Sequence, residues 1–228
     1  MEDIGKYQPS ASVLKSLGKV HFVAVVGPTG VGKTTLINAA MRRDPRLRMV
    51  ITETTRPPRP SEQEGVDYYF KTHTDMLTRV DRGEYVNVAT SLNGADIYAS
   101  HRDSYPQTGI ALMALFAQVV PEFRRLPFAS FKALFIVPAS DELWQTRTQS
   151  HHFTPEQKTK RLDEAVHSFE FACIDSDVLF IINDDLELAT GDLVWLATGQ
   201  PLTARQQSDQ SRARIIAHTA LDRLKNRS

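Results

Sequence analysis

The chain has 228 residues, 41% of them apolar, and its 27 Lys+Arg balance its 27 Asp+Glu. That length suits one large domain with an inserted segment and tails, and it supplies enough apolar material for a substantial core. The charge balance excludes a general field for nucleic acid or an anionic membrane, and the single cysteine, Cys173, excludes an intrachain disulfide framework and suits a reducing compartment.

The first residues, MEDIGKYQPSAS, lack the basic-then-apolar order of a signal peptide. The longest apolar-rich stretch, GIALMALFAQVV, is too short to span a bilayer and predicts a buried strand. The expectation is a cytoplasmic protein, with residues 1–19 as a polar extension. Val20 to Val26 is a β-rich apolar run suited to a buried parallel strand, and Gly27 ends it.

The stretch GPTGVGKTT, residues 27–35, follows directly. In this G-x-x-x-x-G-K-T spacing the glycines let successive backbone N–H groups point inward around phosphate oxygens, and the next helix adds the positive end of its dipole. Gly27, Thr29, Gly30, Val31, Gly32, Lys33, Thr34 and Thr35 are therefore expected to hold the phosphates of a nucleotide. Lys33 would reach the β- and γ-phosphates, and the Thr34 hydroxyl would ligate Mg²⁺.

A helical pattern runs from about Lys33 to Arg43 and stops before Asp44-Pro45. The polar segment ITETTRPPRPSEQEGVDYYF comes next, with Arg56 and Arg59 ahead of Tyr68 and Tyr69. Its prolines are expected to stiffen the backbone and keep the two guanidinium groups from collapsing onto one carboxylate. Guanidinium forks suit bidentate binding of a phosphate, and a tyrosine hydroxyl can complete the cage. A solvated basic loop is the alternative reading of the same residues.

A short helix is expected near Asp75 to Arg82, closed by Gly83, and EYVNVA, FKALFIV and DVLFIIN read as strands. Between the last two, Thr154-Pro155-Glu156-Gln157 carries the signature of a helix start with a capping box. Leu162, Val166, Phe169 and Cys173 then recur on one face, the expected core face of that helix. The basic C-terminal stretch has an apolar line of Ile216, Ala220 and Leu224; a peripheral helix or tail is expected, with a docking helix as the alternative. Strands alternating with helices predict an α/β fold with a mostly parallel sheet.

Over roughly residues 20 to 198 these motifs together resemble the guanylate kinase family, through GPTGVGKTT, TTRPPRPSEQEGVDYYF, EYVNVA leading to IYAS, and LFIINDDLELA. The resemblance implies a P-loop core over residues 20–200 with a nucleotide-binding flap at about 50–100, a short lid at about 144–156, and a basic tail or helix at 201–228. It implies phosphoryl transfer from ATP, with Mg²⁺, to a nucleoside monophosphate, GMP or dGMP. Arg56, Arg59, Tyr68 and Tyr98 would hold the acceptor phosphate, while Thr52 and Ser100 border its base. Asn183 would sit beside the adenine of ATP, Arg161 would be a lid arginine, and Arg147, one residue out of register, would stand in for another. Such a transfer runs on positioning and charge neutralisation and needs no nucleophilic side chain.

The chain departs from the family pattern at several positions. Asn87 stands where the family has a glutamate that accepts hydrogen bonds from guanine, which implies weaker discrimination for that base. Ala114 and Phe116 replace the acids of a family strand, which removes its carboxylate near magnesium; Asp177, Asp184 and Asp185 are candidates for that role only by their proximity to the DVLFIINDD strand, with solvated strand-end acids as the alternative reading. Thr146 and Ser150 replace lid arginines, His151 and His152 read as surface residues, and the helix after the flap is shortened. Two alternatives stay open on these grounds: a kinase of a different phosphorylated small molecule, and a binding module that has lost the chemistry. Nucleotides are the expected partners, and no partner for the C-terminal tail is readable.

Overall fold

The computed structural model describes residues 7–60, 62–91, 94–140, 144 and 155–226, with the side chains of 155–158 excepted. Its elements are α1 (Ala11–Leu17), β1 (His21–Val26), α2 (Lys33–Arg43), β2 (Leu47–Met49), β3 (Glu53–Thr54), β4 (Tyr69–Phe70), α3 (His73–Asp81), β5 (Tyr85–Thr90), β6 (Ile97–His101), β7 (Ile110–Ala114), α4 (Val120–Arg124), β8 (Ser130–Pro138), α5 (Pro155–Ile174), β9 (Leu179–Asn183), α6 (Leu186–Ala197) and α7 (Ala204–Lys225). A mostly parallel sheet has the strand order β2–β7–β1–β8–β9, and a second sheet has the order β4–β3–β6–β5. This is the α/β class expected from strands that alternate with helices. The chain divides into two compact units, one containing residues 48–113 with residues 1–22 and 125–130, the other containing residues 23–47, 114–124 and 131–228.

In the first unit the small sheet buries one face. Tyr85, Val88, Ile97 and Ala99 pack with Met76 of α3, and Tyr7 and Val80 close over them. The segment expected as a polar extension is part of this packing. The Tyr7 hydroxyl donates to the Tyr85 carbonyl at 2.7 Å and accepts from its N–H at 2.9 Å, and burial pushes the Tyr7 hydroxyl up to about 12. Ser10 caps α1, whose Val13 and Leu17 are buried. A tyrosine and two aliphatic residues spaced through a polar sequence carry enough surface to dock, which average composition hides. The GIALMALFAQVV run also differs from expectation: the strand ends at Ala114, and a 3-10 turn at Ala117–Val119 leads into α4.

In the second unit β8 and β9 pair in parallel, Leu134 to Pro138 against Leu179 to Asn183, and are almost wholly apolar, as a strand covered on both faces must be. The buried face of α5 is Ala165, Ser168, Phe169 and Ala172, while Leu162 is 48% exposed and Cys173 half-buried. The expected face was thus rotated by about one residue. Small residues win the interior because α5 packs closely on α7, which contributes Ala213, Ala217, Ala220, Leu221 and Leu224.

The α7 helix is a structural member rather than a peripheral tail. Thr203 and Gln206 form a reciprocal capping box at its start. The Gln210 side chain accepts from the Phe180 N–H at 2.7 Å and donates to the Phe180 carbonyl at 2.8 Å, so an amide stands in for a strand partner along β9, the end strand of the sheet order. Gln206 and Arg205 both donate to Asp192 of α6. Ala217→Asp places an uncompensated charge in this seam and should cost about 3–5 kcal/mol, whereas Ile215→Asp, at a 68% exposed position two residues away, should change stability by less than about 0.5 kcal/mol. Thermal denaturation of the two variants checks the difference.

Candidate functional site

The loop after β1 turns through three glycines with positive φ: Gly27 at 143°, Gly30 at 81° and Gly32 at 97°. A Cβ at Gly32 would come within 2.6 Å of the Asn183 amide nitrogen, and one at Gly27 within 2.6 Å of the Ile136 carbonyl, so neither position accepts a side chain. The loop's carbonyls are held by side chains from around it. Lys33 donates to the Gly27 and Pro28 carbonyls, Trp144 Nε1 to the Thr29 carbonyl at 2.8 Å, and Asn183 Nδ2 to the Val31 carbonyl at 2.7 Å. Helix α2 begins with Gly32 at its cap and no side-chain hydrogen bond there, which leaves its first-turn N–H groups and dipole available to an anion.

Val31 is fully buried, while Thr34 and Thr35 are exposed on the first turn of α2. Burial drives the Lys33 ammonium down to about 8; Glu164 opposes the shift and Arg161 adds to it. Those two residues of α5 meet the loop at Thr29. The Thr29 hydroxyl lies 2.7–2.8 Å from both Glu164 carboxylate oxygens, and Arg161 Nη1 lies 3.0 Å from Thr29 Oγ1 and 2.9 Å from Glu164 Oε2. Glu164 and Trp144 were not legible as site residues. Only its position three residues after Arg161 on a helix marked Glu164.

In the other unit, three of the residues expected at the acceptor, Asn87, Tyr98 and Ser100, share one face of the small sheet with Thr54. Asn87 pairs with Ser100, and Thr54 with Tyr98, so all four point away from the Tyr85–Met76 core. A bulge between Tyr85 and Asn87 makes this possible: strict alternation would put Asn87 on the core face with Tyr85. Ser100 is buried and accepts from the Tyr105 hydroxyl at 2.9 Å, and the Thr52 carbonyl accepts from the Tyr69 N–H. The opposite face holds Glu53, almost fully buried, which accepts from Tyr85 at 2.6 Å and Arg79 at 2.7 Å.

Arg56 stands 5.4 Å over the Tyr68 ring, which meets Tyr98 edge-on at 6.1 Å. Its Nη2 donates to both oxygens of Glu62 at 2.8 and 2.9 Å, and its Nη1 to the Pro57 carbonyl. Burial lowers the Arg56 pKa, but hydrogen bonds to Glu62 and Tyr98 outweigh it and leave the group firmly cationic. Burial raises the Tyr68 hydroxyl, which keeps it a donor. Arg56 Nε is buried with no hydrogen-bond partner among the described residues, a donor that suits an anion.

The expectation that prolines hold the two guanidinium groups off a common carboxylate is corrected. Both approach Glu62, Arg56 at 2.8 Å and Arg59 at 3.9 Å, because the Arg59 backbone N–H anchors that carboxylate at 2.8 Å in the turn between them. Arg59 itself is exposed. Of the carboxylates near β9, Asp185 caps α6 through the Leu188 N–H. Arg147, Thr146, Ser150, His151 and His152 lie outside the described residues.

Comparison with known proteins agrees with the motif reading. Residues 19–196 match the family model described as "Guanylate kinase". The chain is 31% identical over 198 residues to the guanylate kinase of Cutibacterium acnes, covering 82% of this chain and 95% of that one. It is 33% identical over 184 residues to that of Frankia casuarinae, covering 76% and 94%. The crystal structure of guanylate kinase from Anaplasma phagocytophilum aligns with a TM-score of 0.59 at 21% identity, covering 82% of this chain and 88% of that chain, a likeness of fold.

The depressed Lys33 pKa sets an expectation for the loop after β1. A polyanion bound there would favour the charged amine, so its affinity should be complete below about pH 8 and fall above it. Calorimetric binding of inorganic triphosphate should weaken by roughly tenfold per pH unit above that point at most, and the dependence should vanish in Lys33→Met.

Proposed function

Because the chain belongs to the guanylate kinase family, we propose that it transfers the terminal phosphoryl group of ATP to GMP or dGMP, giving ADP and the nucleoside diphosphate. The observation that carries this reading is the cationic Arg56, held by Glu62 and Tyr68 beside the face that presents Tyr98, Ser100 and Asn87. A fold kept only for binding ATP has no use for a second, separately built anion cage.

In this reading the amides of residues 27–35 and Lys33 take the ATP phosphates, with Asn183 at the adenine end. Arg56, Arg59, Tyr68 and Tyr98 take the GMP phosphate, while Thr52, Ser100 and Asn87 line the base. The transition state spreads charge over the moving phosphoryl oxygens, so Lys33 and Arg161 act by neutralising it, and positioning supplies the remainder. Arg147 would add to that charge.

Mg²⁺ fits the residues present. Thr34 offers a hard hydroxyl oxygen at the exposed first turn of α2, and the described residues hold no cluster of three acids or histidines. That donor set suits an ion bound mainly by substrate phosphates and water. When bound, Mg²⁺ supplies charge neutralisation on the β- and γ-phosphates.

The direct test is release of ADP by the pure protein with Mg-ATP and a panel of GMP, dGMP, AMP, CMP and UMP. Turnover is expected with GMP and dGMP, and its absence with both would overturn the reading. Arg56→Ala should lower kcat/KM for GMP by roughly 10- to 100-fold, the worth of a charged hydrogen bond, while calorimetric ATP affinity stays within about twofold. Asn87→Glu restores a charged acceptor to the base pocket and should raise the GMP-over-AMP preference by about tenfold or more.

A further inference from the structure

Resting on the kinase reading above, we propose that Glu164 is a positioning residue for phosphoryl transfer, acting through Arg161 by clasping it against the Thr29 hydroxyl of the phosphate loop. The carboxylate is only 11% exposed, and Thr29 lies within hydrogen-bond distance of both its oxygens, at 2.7 and 2.8 Å. Arg161 Nη1 bridges the pair, 3.0 Å from Thr29 Oγ1 and 2.9 Å from Glu164 Oε2.

A hydroxyl with one proton cannot donate strongly to two oxygens at once, so the geometry is that of a carboxylate centred on the hydroxyl. The guanidinium lies against both. Glu164 and Arg161 are three apart on α5, so the helix fixes their relative placement. The Thr29 carbonyl is tied separately to Trp144, which packs edge-on against Phe169 on the same helix at 5.9 Å. Residue 29 is therefore held by its hydroxyl through Glu164 and by its carbonyl through Trp144.

A guanidinium on a long flexible stem loses rotamer freedom when it is fixed. Fixing it beforehand removes that loss from the chemical step. Glu164 thus orients a cation beside the loop.

The test is a double-mutant cycle on the full chain with GMP and Mg-ATP. Glu164→Gln keeps the shape and an acceptor oxygen but removes the charge. It should lower kcat by about 10- to 100-fold, with KM for GMP unchanged within about twofold. In an Arg161→Ala background the same substitution should have little further effect, because the group it positions is gone.

A purely structural role would lower kcat equally in both backgrounds and would not spare KM. Glu164→Asp, which retains the charge at shorter reach, should recover part of the kcat lost in Glu164→Gln. Equal losses in both backgrounds, an unchanged kcat, or failure of both Glu164 variants to fold would each overturn the proposal. Wild-type inactivity toward GMP would instead overturn the substrate reading, before the cycle begins.

Discussion

The loop after β1 can offer its amides to an anion because its carbonyls are already satisfied. A tight run of backbone from Gly27 to Gly32 carries acceptors as well as donors, and buried acceptors left unpaired cost about 1–3 kcal/mol each. Here the carbonyls of Gly27 and Pro28 take Lys33, that of Thr29 takes Trp144, and that of Val31 takes Asn183. The partners come from the start of α2, from residue 144 and from the end of β9. Much of the second unit's architecture can be read as the means of bringing those three donors to one short loop. The same crowding explains the glycines: Asn183 can reach Val31 only where residue 32 has no Cβ.

Both units hold an arginine on a buried carboxylate. Arg56 rests on Glu62 and Arg161 on Glu164, and each carboxylate is 11% exposed. Pairing lowers the net positive potential, yet it orients a long side chain that would otherwise sample many rotamers. In the first unit the orientation is reinforced by the Tyr68 ring beneath the guanidinium, and in the second by the Thr29 hydroxyl. A site whose chemistry is charge neutralisation depends on where its charges stand, so fixed cations serve it better than a larger number of free ones.

The replacements at Asn87, Ala114 and Phe116 take on a definite sense against this background. The small sheet turns residue 87 out of the core through the bulge after Tyr85, while the side chain there is a neutral amide. Phe116 is 58% exposed just beyond β7, and Ala114 is exposed at its end. On the proposed reading, the residues that would grip phosphate keep the family pattern while those that would read the base depart from it.

The local pattern of the sequence was sufficient for the glycine loop after β1, the α/β class, the cluster around Arg56 and the family. Each depends on short-range spacing: glycines that alone tolerate positive φ, arginines and tyrosines within one segment, apolar runs of strand length. What the tertiary structure alone decided depends on contacts between residues distant in the chain. Tyr7 covers the flap core 78 positions before its partner Tyr85. Glu164 reaches Thr29 across 135 positions, and Gln210 closes the edge of β9. The bulge that sends Asn87 to the same face as Ser100 is set by how β5 meets β6, and the inward face of α5 by how closely α7 packs on it. Periodicity reports that an element has an apolar side; which residues finally occupy it is settled by the partner that covers them.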